Sequence, residues 1–255
     1  MLALHGCEAA YQIAKQNIEV NLYEMKPKKF SPAHRNPNLA EIVCSNSFKS
    51  NLITNACGLL KEELRRLDSL LIKCADKTAV PAGQALAVDR EEFAKLVTEK
   101  IKEMPNINII EKEVGIDISL EELAKEGIVM AATGPLTTDS LSKEIARITG
   151  EDKLYFYDAA APIIEKDTID MNIGFLGDRY GKGDACYINL PMNKEEYEEF
   201  WNELVSAEAV ILHEFEKKEI FEGCMPVEVM AKRGIDTLRF GPLKPVRLYR
   251  PKNRE

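Results

Sequence analysis

The side chains best suited to covalent chemistry in this chain are its six cysteines, at positions 7, 44, 57, 74, 186 and 224. Cys224 stands in Phe221-Glu222-Gly223-Cys224-Met225-Pro226. The glycine lets backbone approach a ligand, and the proline biases Met225 away from helix. From Ala231 to Arg254, eight Lys/Arg face one acid, Asp236, a local charge of +7 in a chain of net charge −8. A thiol beside such a cluster suits a lowered-pKa nucleophile working on a polyanion. A small buried cysteine followed by a solvated basic tail explains the same residues, and on this stretch alone it is the simpler account. Cys44 lies in Glu41-Ile42-Val43-Cys44-Ser45-Asn46-Ser47, a polar loop setting that favours a reactive thiol. The other reading is a cysteine closing a short strand over 40–43. Cys74 ends an apolar stripe and is assigned to the core, and Cys7 and Cys57 are left as structural. With no CxxC and no dense spacing, the set reads as reduced thiols of a cytosolic protein.

The elements that must position these residues alternate. Residues 6–16 read as a short helix with Ala9, Ala10, Ile13 and Ala14 on one side, and 18–23 as a strand ending in Glu24. A helix followed by a strand ending in an acid is the back half of a dinucleotide-binding unit, in which the acid accepts hydrogen bonds from the adenosine ribose. Met1 and Ala3 stand where the first two glycines of that fingerprint belong, and Glu24 reads equally well as an ordinary charged strand end. Residues 26–58 are loop-rich and hold His34; a connection of that length is usually functional or disordered. Leucines 60, 64, 67 and 71 with Cys74 predict one amphipathic helix over 59–74. A turn at 80–83, a strand at 85–90, a helix at 91–104, a strand at 107–113 and a helix at 120–126 follow. The apolar run 128–134 predicts a strand closing in a small-residue turn, and 139–148 a helix. The alternation argues for α/β with a largely parallel sheet.

After Gly150 the pattern changes. Residues 154–158 are strand-like, and 172–179 with 185–190 bracket a hairpin turn at 180–184. The Gly-Lys-Gly there lacks the spacing and following helix of a phosphate loop. Asn193-x-x-Glu196 is a capping box opening a helix to about residue 218. At 255 residues, 45% hydrophobic and 30% charged, the chain suits one large or two ordinary soluble domains, placed here at 1–150 and 151–255. No apolar run approaches the ~20 residues of a membrane helix, and residues 1–5 lack the basic start of a secretory leader. The acidic balance speaks against wholesale nucleic-acid coating and leaves room for one basic face. No metal-ligand spacing is present.

Read together, GCEAAYQIAK, VNLYEMKP, EIVCSNSFKSN, TNACGLLKEELRRLDSL, VPAGQALAVDR, AATGPLTTDSL, YFYDAAAPI, RYGKGDACYINLPM and FEGCMPVEVMAKRGIDTLRFGPLKPV resemble the folate- and flavin-dependent tRNA (uracil-5-)-methyltransferases, the TrmFO family. The resemblance runs over nearly the whole chain. It departs at the glycine fingerprint, reduced to Gly6, and after about Val246, where the family continues for well over a hundred residues. The chain is therefore expected to be a fragment. Its expected fold class is α/β: an incomplete FAD-binding doubly wound (Rossmann-like) domain with a smaller mixed α/β insertion domain that carries the second cysteine and the basic stretch.

The resemblance implies methylation of a T-loop uridine of tRNA. Methylenetetrahydrofolate gives the carbon, and reduced FAD, replenished by NAD(P)H, gives the electrons. The family's functional cysteines fall on Cys224, assigned as the nucleophile, and Cys44, assigned to proton transfer; the two roles are exchangeable on the sequence. Gly6, Glu24, Ala132, Thr133 and Gly134 match FAD contacts. Lys232, Arg233, Arg239 and Lys244 are candidate tRNA-backbone contacts. Without the first strand and its glycines, FAD binding by this chain alone is expected to be weak or absent. Both thiols are expected to line one cleft between the domains. The implied location is cytoplasmic, with tRNA and folate as partners and no protein partner or membrane. The competing readings are a wobble-uridine tRNA-modifying flavoprotein, a thiol–disulfide flavin reductase, and an inactive fragment with residual tRNA binding.

Overall fold

The computed structural model describes residues 4–31, 33–43, 45–134, 137–150, 164–177, 185–208 and 225–244. The chain divides into two units, Met1–Val80 with Ala85–Phe156, and Pro81–Gln84 with Tyr157–Glu255. In chain order the first unit holds α1 (Leu4–Ala14), β1 (Val20–Tyr23), β2 (Ser47–Ser50), α2 (Ala56–Arg66), α3 (Leu70–Lys77), β3 (Ala79–Val80), β4 (Ala85–Val88), α4 (Arg90–Lys102), β5 (Ile107–Ile110), α5 (Leu120–Glu126) and α6 (Asp139–Thr149).

The buried face of α1 is made of small residues, Gly6, Cys7, Ala10 and Ala14, so the helix backbone lies close to its neighbours. β1 pairs parallel with β5 in continuous register, from Val20↔Ile107 to Tyr23↔Ile110. Parallel strands need a crossover. Here the crossover includes α4, which Asp89 caps by accepting from the backbone of Glu91 and Glu92. Phe93, Val97 and Ile101 of α4 are fully buried and pack in one core with Cys7, Ala10, Leu22, Leu70, Cys74 and Val88. Glu8 fastens α1 to α3, because its carboxylate accepts from Ser69 Oγ and from the backbone N–H of Leu70 and Leu71. Those amides are orphan donors of the α3 N-terminus, where negative charge is stabilising.

In the second unit, β6 (Phe175–Gly177) and β7 (Tyr187–Asn189) pair antiparallel, as the hairpin pattern predicts. Asn193 and Glu196 complete a capping box at the start of α7 (Lys194–Ser206). α8 (Val227–Ala231) and α9 (Thr237–Phe240) pack on α7 around Tyr197, Ala231 and Leu238. Trp201 Nε1 donates to Ala231 O at 3.0 Å, and the Tyr197 hydroxyl donates to Ile235 O. These bonds satisfy the polar ends of two largely apolar rings.

Several elements depart from the sequence reading. The single helix over 59–74 is two, α2 and α3, separated at Asp68, which takes a left-handed φ of 65°. Ser69 starts the second helix by accepting from Ile72 N. The carboxyl of Asp68 is held down at about 2 by hydrogen bonds from Lys15 and Lys73. The break turns part of the leucine stripe outward, leaving Leu60 and Leu67 exposed, while Cys74 stays in the core. Among the described residues the parallel pairing is that of β1 with β5, and β2, β4 and β3 form a separate antiparallel sheet, with a bulge between Ser47 and Ser50. β2 (SFKS) lacks the alternation that marks a strand, and Lys49 has a φ of 64°. The apolar run 128–134 forms no strand; Ile128 and Met130 are exposed, and no strand among the described residues pairs with them. The helix begun at Lys194 ends at Ser206, where Ala207 turns extended and the Ser206 hydroxyl caps Asn202 O. The strand expected at 154–158 and the turn at 180–184 lie outside the described residues.

Candidate functional site

At the C-terminal end of β1 the ladder runs one residue further, with Glu24 N–H donating to Ile110 O at 3.0 Å. The Glu24 side chain is 1% exposed, and its Oε1 accepts from Lys26 N at 2.9 Å. Lys26 is itself buried. Its ammonium donates to Asn36 O at 3.0 Å, to Asn38 O, and to Glu41 Oε2 at 3.5 Å. The other Glu41 oxygen accepts from the backbone N–H of Arg35 and Asn36, at 2.9 and 3.0 Å. Leu39 N–H donates to Thr98 Oγ1 on α4. Ala40 is fully buried beside Cys7. Burial, reinforced by Glu24, pushes the Cys7 thiol up to about 12, so Cys7 stays protonated as a packing residue.

His34 belongs to the same loop. It is buried, and its Nδ1 lies 2.6 Å from Ser31 Oγ. Burial lowers its pKa below the usual 6.5, against the pull of Glu41. Above that value the imidazole is neutral in both the folded and unfolded chains. As pH falls through it, the unfolded chain binds the proton first, so stability is lost on acidification until the lower folded value is passed. The thermal midpoint of the wild-type chain is expected to fall between about pH 7.5 and 5.5. The fall should be shallower in His34→Asn. Equal slopes in the two proteins would show that His34 does not titrate in this window.

The remaining candidates fall as follows. Gly6 is buried within the first turns of α1. Ala132 and Thr133 are half-buried and Gly134 is exposed at a φ of 68°. Thr137 Oγ1 donates to Gly134 O and meets Thr133 Oγ1 at 2.6 Å. Lys232, Arg233, Arg239 and Lys244 are all exposed in the second unit, on and around α8 and α9, with Arg239 paired to Asp236 at 2.8 Å. Cys44 and Cys224 lie outside the described residues, and so does the cleft expected between them. A cavity of about 510 Å³ beside α6 is lined by Lys29, Glu113, Thr138, Ser140 and Lys143. Lys29 already binds both oxygens of Glu113, at 2.8 and 2.7 Å. The sequence reading missed the Lys26–Glu41 pair. Two charges 15 positions apart in a proline-rich loop give no periodic signal. Among the described residues, no helix is long and apolar enough to cross a membrane.

An N-terminal helix, a strand ending in a buried acid and a parallel partner strand define one end of a Rossmann-like half-domain. The family model described as glucose inhibited division protein A matches residues 4–255, and the chain belongs to that family. Within it, the chain is 60% identical over 248 residues to methylenetetrahydrofolate--tRNA-(uracil-5-)-methyltransferase TrmFO of Acetivibrio thermocellus, covering 97% of this chain and 56% of the relative. It is 57% identical over 249 residues to the TrmFO of Bacillus pumilus and, over the same length, 57% identical to that of Staphylococcus carnosus, in each case covering 98% of this chain and 56% of the relative. The chain thus spans about half the length of the curated relatives it matches.

Proposed function

We propose that this chain carries part of a folate- and FAD-dependent tRNA (uracil-5-)-methyltransferase, acting in the cytoplasm on a T-loop uridine. The observation that carries the reading is the 60% identity to a TrmFO protein over 97% of the chain. The family match, residues 4–255, takes in both Cys44 and Cys224. The chemistry needs two such groups. Uracil C5 is a poor nucleophile; a thiolate of Cys224 adding to C6 makes C5 an enolate able to attack a one-carbon electrophile derived from methylenetetrahydrofolate. The C5 proton must then be removed, the role given to Cys44, before the C6–sulfur bond breaks and the thiolate leaves. When bound, FAD replenished by NAD(P)H supplies the electrons that bring the carbon to the methyl level.

The residues at the end of β1 fit the adenosine end of such a cofactor. Glu24 is an acid at the C-terminal end of a parallel strand, beside the helix that carries Gly6. Its carboxylate accepts a backbone hydrogen bond from Lys26, and an acid at this strand end is the group that meets ribose hydroxyls in such domains. The turn at Ala132, Thr133 and Gly134 is the second candidate contact. Lys232, Arg233, Arg239 and Lys244 supply positive charge for RNA phosphates. Domain limits of 1–150 and 151–255 go with this reading. The test is methyl transfer by the chain extended to the length of its relatives. T-arm RNA, labelled methylenetetrahydrofolate, FAD and NAD(P)H should yield labelled 5-methyluridine on digestion. A folded, flavin-loaded protein that gives none would overturn the proposal.

A further inference from the structure

We propose that Lys26 is the positioning residue for Glu24, fixing that acid at the end of β1 where it meets the adenosine ribose of FAD. This rests on the proposed reading of Glu24 as the ribose contact.

Two acids and one ammonium lie close together at this strand end, away from water. Glu24 is 1% exposed, the Lys26 side chain 1% and that of Glu41 14%. Such groups are almost never fully buried unless they are paired, because each loses its hydration. An ammonium has three N–H donors, and three acceptors meet this one: Asn36 O, Asn38 O and Glu41 Oε2. A lysine two places beyond a strand-end acid would suit a ligand phosphate. Here its charge is engaged by the protein, as the hub of a loop.

The same residue reaches Glu24 from its other end. The Lys26 backbone N–H donates to Glu24 Oε1 at 2.9 Å, so the position of that backbone decides where the carboxylate points. The side chain in turn holds the backbone in place. Its three acceptors belong to one stretch, residues 36–41, which Glu41 closes by accepting from Arg35 N and Asn36 N. Leu39 N–H pins the stretch to Thr98 on α4. Ala40 is fully buried with its backbone against the Cys7 thiol of α1, and Cys7 feels the charges of both Glu24 and Lys26. His34 of the same loop feels Glu24, Lys26 and Glu41. The start of α1, the end of β1 and the loop therefore meet at one place, and Lys26 spans it. Without the ammonium the loop loses its hub, and the Lys26 backbone drifts together with the carboxylate it holds. Hydrogen bonds to a carboxylate are directional and weaken steeply off line. Lys26 itself touches no ligand; it acts through Glu24.

The test uses the chain extended to the length of its relatives and freed of flavin. It is titrated calorimetrically with ADP, which carries the adenosine and pyrophosphate of FAD, and with 2′,3′-dideoxyadenosine diphosphate, which lacks both ribose hydroxyls. Wild type should prefer ADP by about tenfold or more, the worth of a hydrogen bond to a charged group. Glu24→Gln should bring the preference below about threefold. Lys26→Met is expected to do the same, with affinity for the dideoxy compound kept within about twofold of wild type. The double variant should lose no more than either single change, because both act on one contact. Lys26→Arg, which restores a cation with several donors, should return the preference above about fivefold. A Lys26→Met protein with the wild-type preference would overturn the proposal. Equal losses for both nucleotides would also overturn it, since they mark a general loosening of the fold. If Lys26→Met does not fold, Lys26→Gln and Glu41→Gln are judged by the same two criteria. A wild type that binds both nucleotides equally would remove the ribose contact and this proposal with it, while methyl transfer is decided by its own assay. A wild type that binds neither FAD nor ADP would overturn the flavin-dependent reading as well.

Discussion

Replacing Cys224 by alanine is expected to abolish covalent capture of a T-arm RNA carrying 5-fluorouridine, measured as a denaturant-resistant protein–RNA band with the chain extended to the length of its relatives. Fluorine at C5 leaves no proton to remove. The adduct formed when sulfur adds to C6 and carbon to C5 cannot then resolve, and it accumulates. Capture needs the nucleophile and does not need the later proton transfer. Cys44→Ala should therefore still capture, and Cys57→Ala should behave as wild type. Capture that survives in Cys224→Ala and is lost in Cys44→Ala would exchange the two roles.

Gly58→Ala should be among the most damaging single-methyl changes in the first unit. An ideal Cβ on Gly58 would lie 1.9 Å from Leu52 O and 2.3 Å from Leu52 C. Both are backbone atoms of the turn that leads into α2, and that turn is fixed by Asn55 N donating to Leu52 O and Asn55 Oδ1 accepting from Cys57 N. Alanine in place of glycine within a helix is normally worth up to about 1 kcal/mol in favour. Overpacking against atoms that cannot rotate away costs more, about 3 kcal/mol at the upper end of the usual range. At about 2–4 °C per kcal/mol for a chain of this size, the thermal midpoint should fall by roughly 6–12 °C for the overpacking term alone. Gly127→Ala is the control, since a Cβ there meets nothing within 4 Å. A Gly58→Ala midpoint equal to that control would mean the 52–58 turn yields freely.

Where the sequence was legible, two local signals agreed. α4 could be read nearly end to end because Asp89 caps it and its apolar residues recur at helical spacing. The capping box at Asn193 opens the helix it announces. The break between α2 and α3 was missed because no glycine or proline marks it. It depends on Asp68 adopting a left-handed φ with Lys15, just past α1, and Lys73 of α3 around it. The Lys26 hub was missed for a related reason: two of its three acceptors are main-chain carbonyls, which any residue at 36 or 38 would provide. The two candidate cysteines, Cys44 and Cys224, had suggestive neighbours in the sequence, but each also had a simple structural account, and it was the family resemblance that paired them.

The run Ile128-Val129-Met130-Ala131-Ala132 has a consequence for how the molecule behaves in a crowd. It is uncharged, free of proline and unpaired with any strand among the described residues, with Ile128 104% and Met130 67% exposed. A segment of that composition, held open, is a template on which another such segment can pair. Copies that meet through it would be withdrawn from solution irrespective of how well their cores are packed. A handful of surface residues thus gives copies of this chain a place to associate.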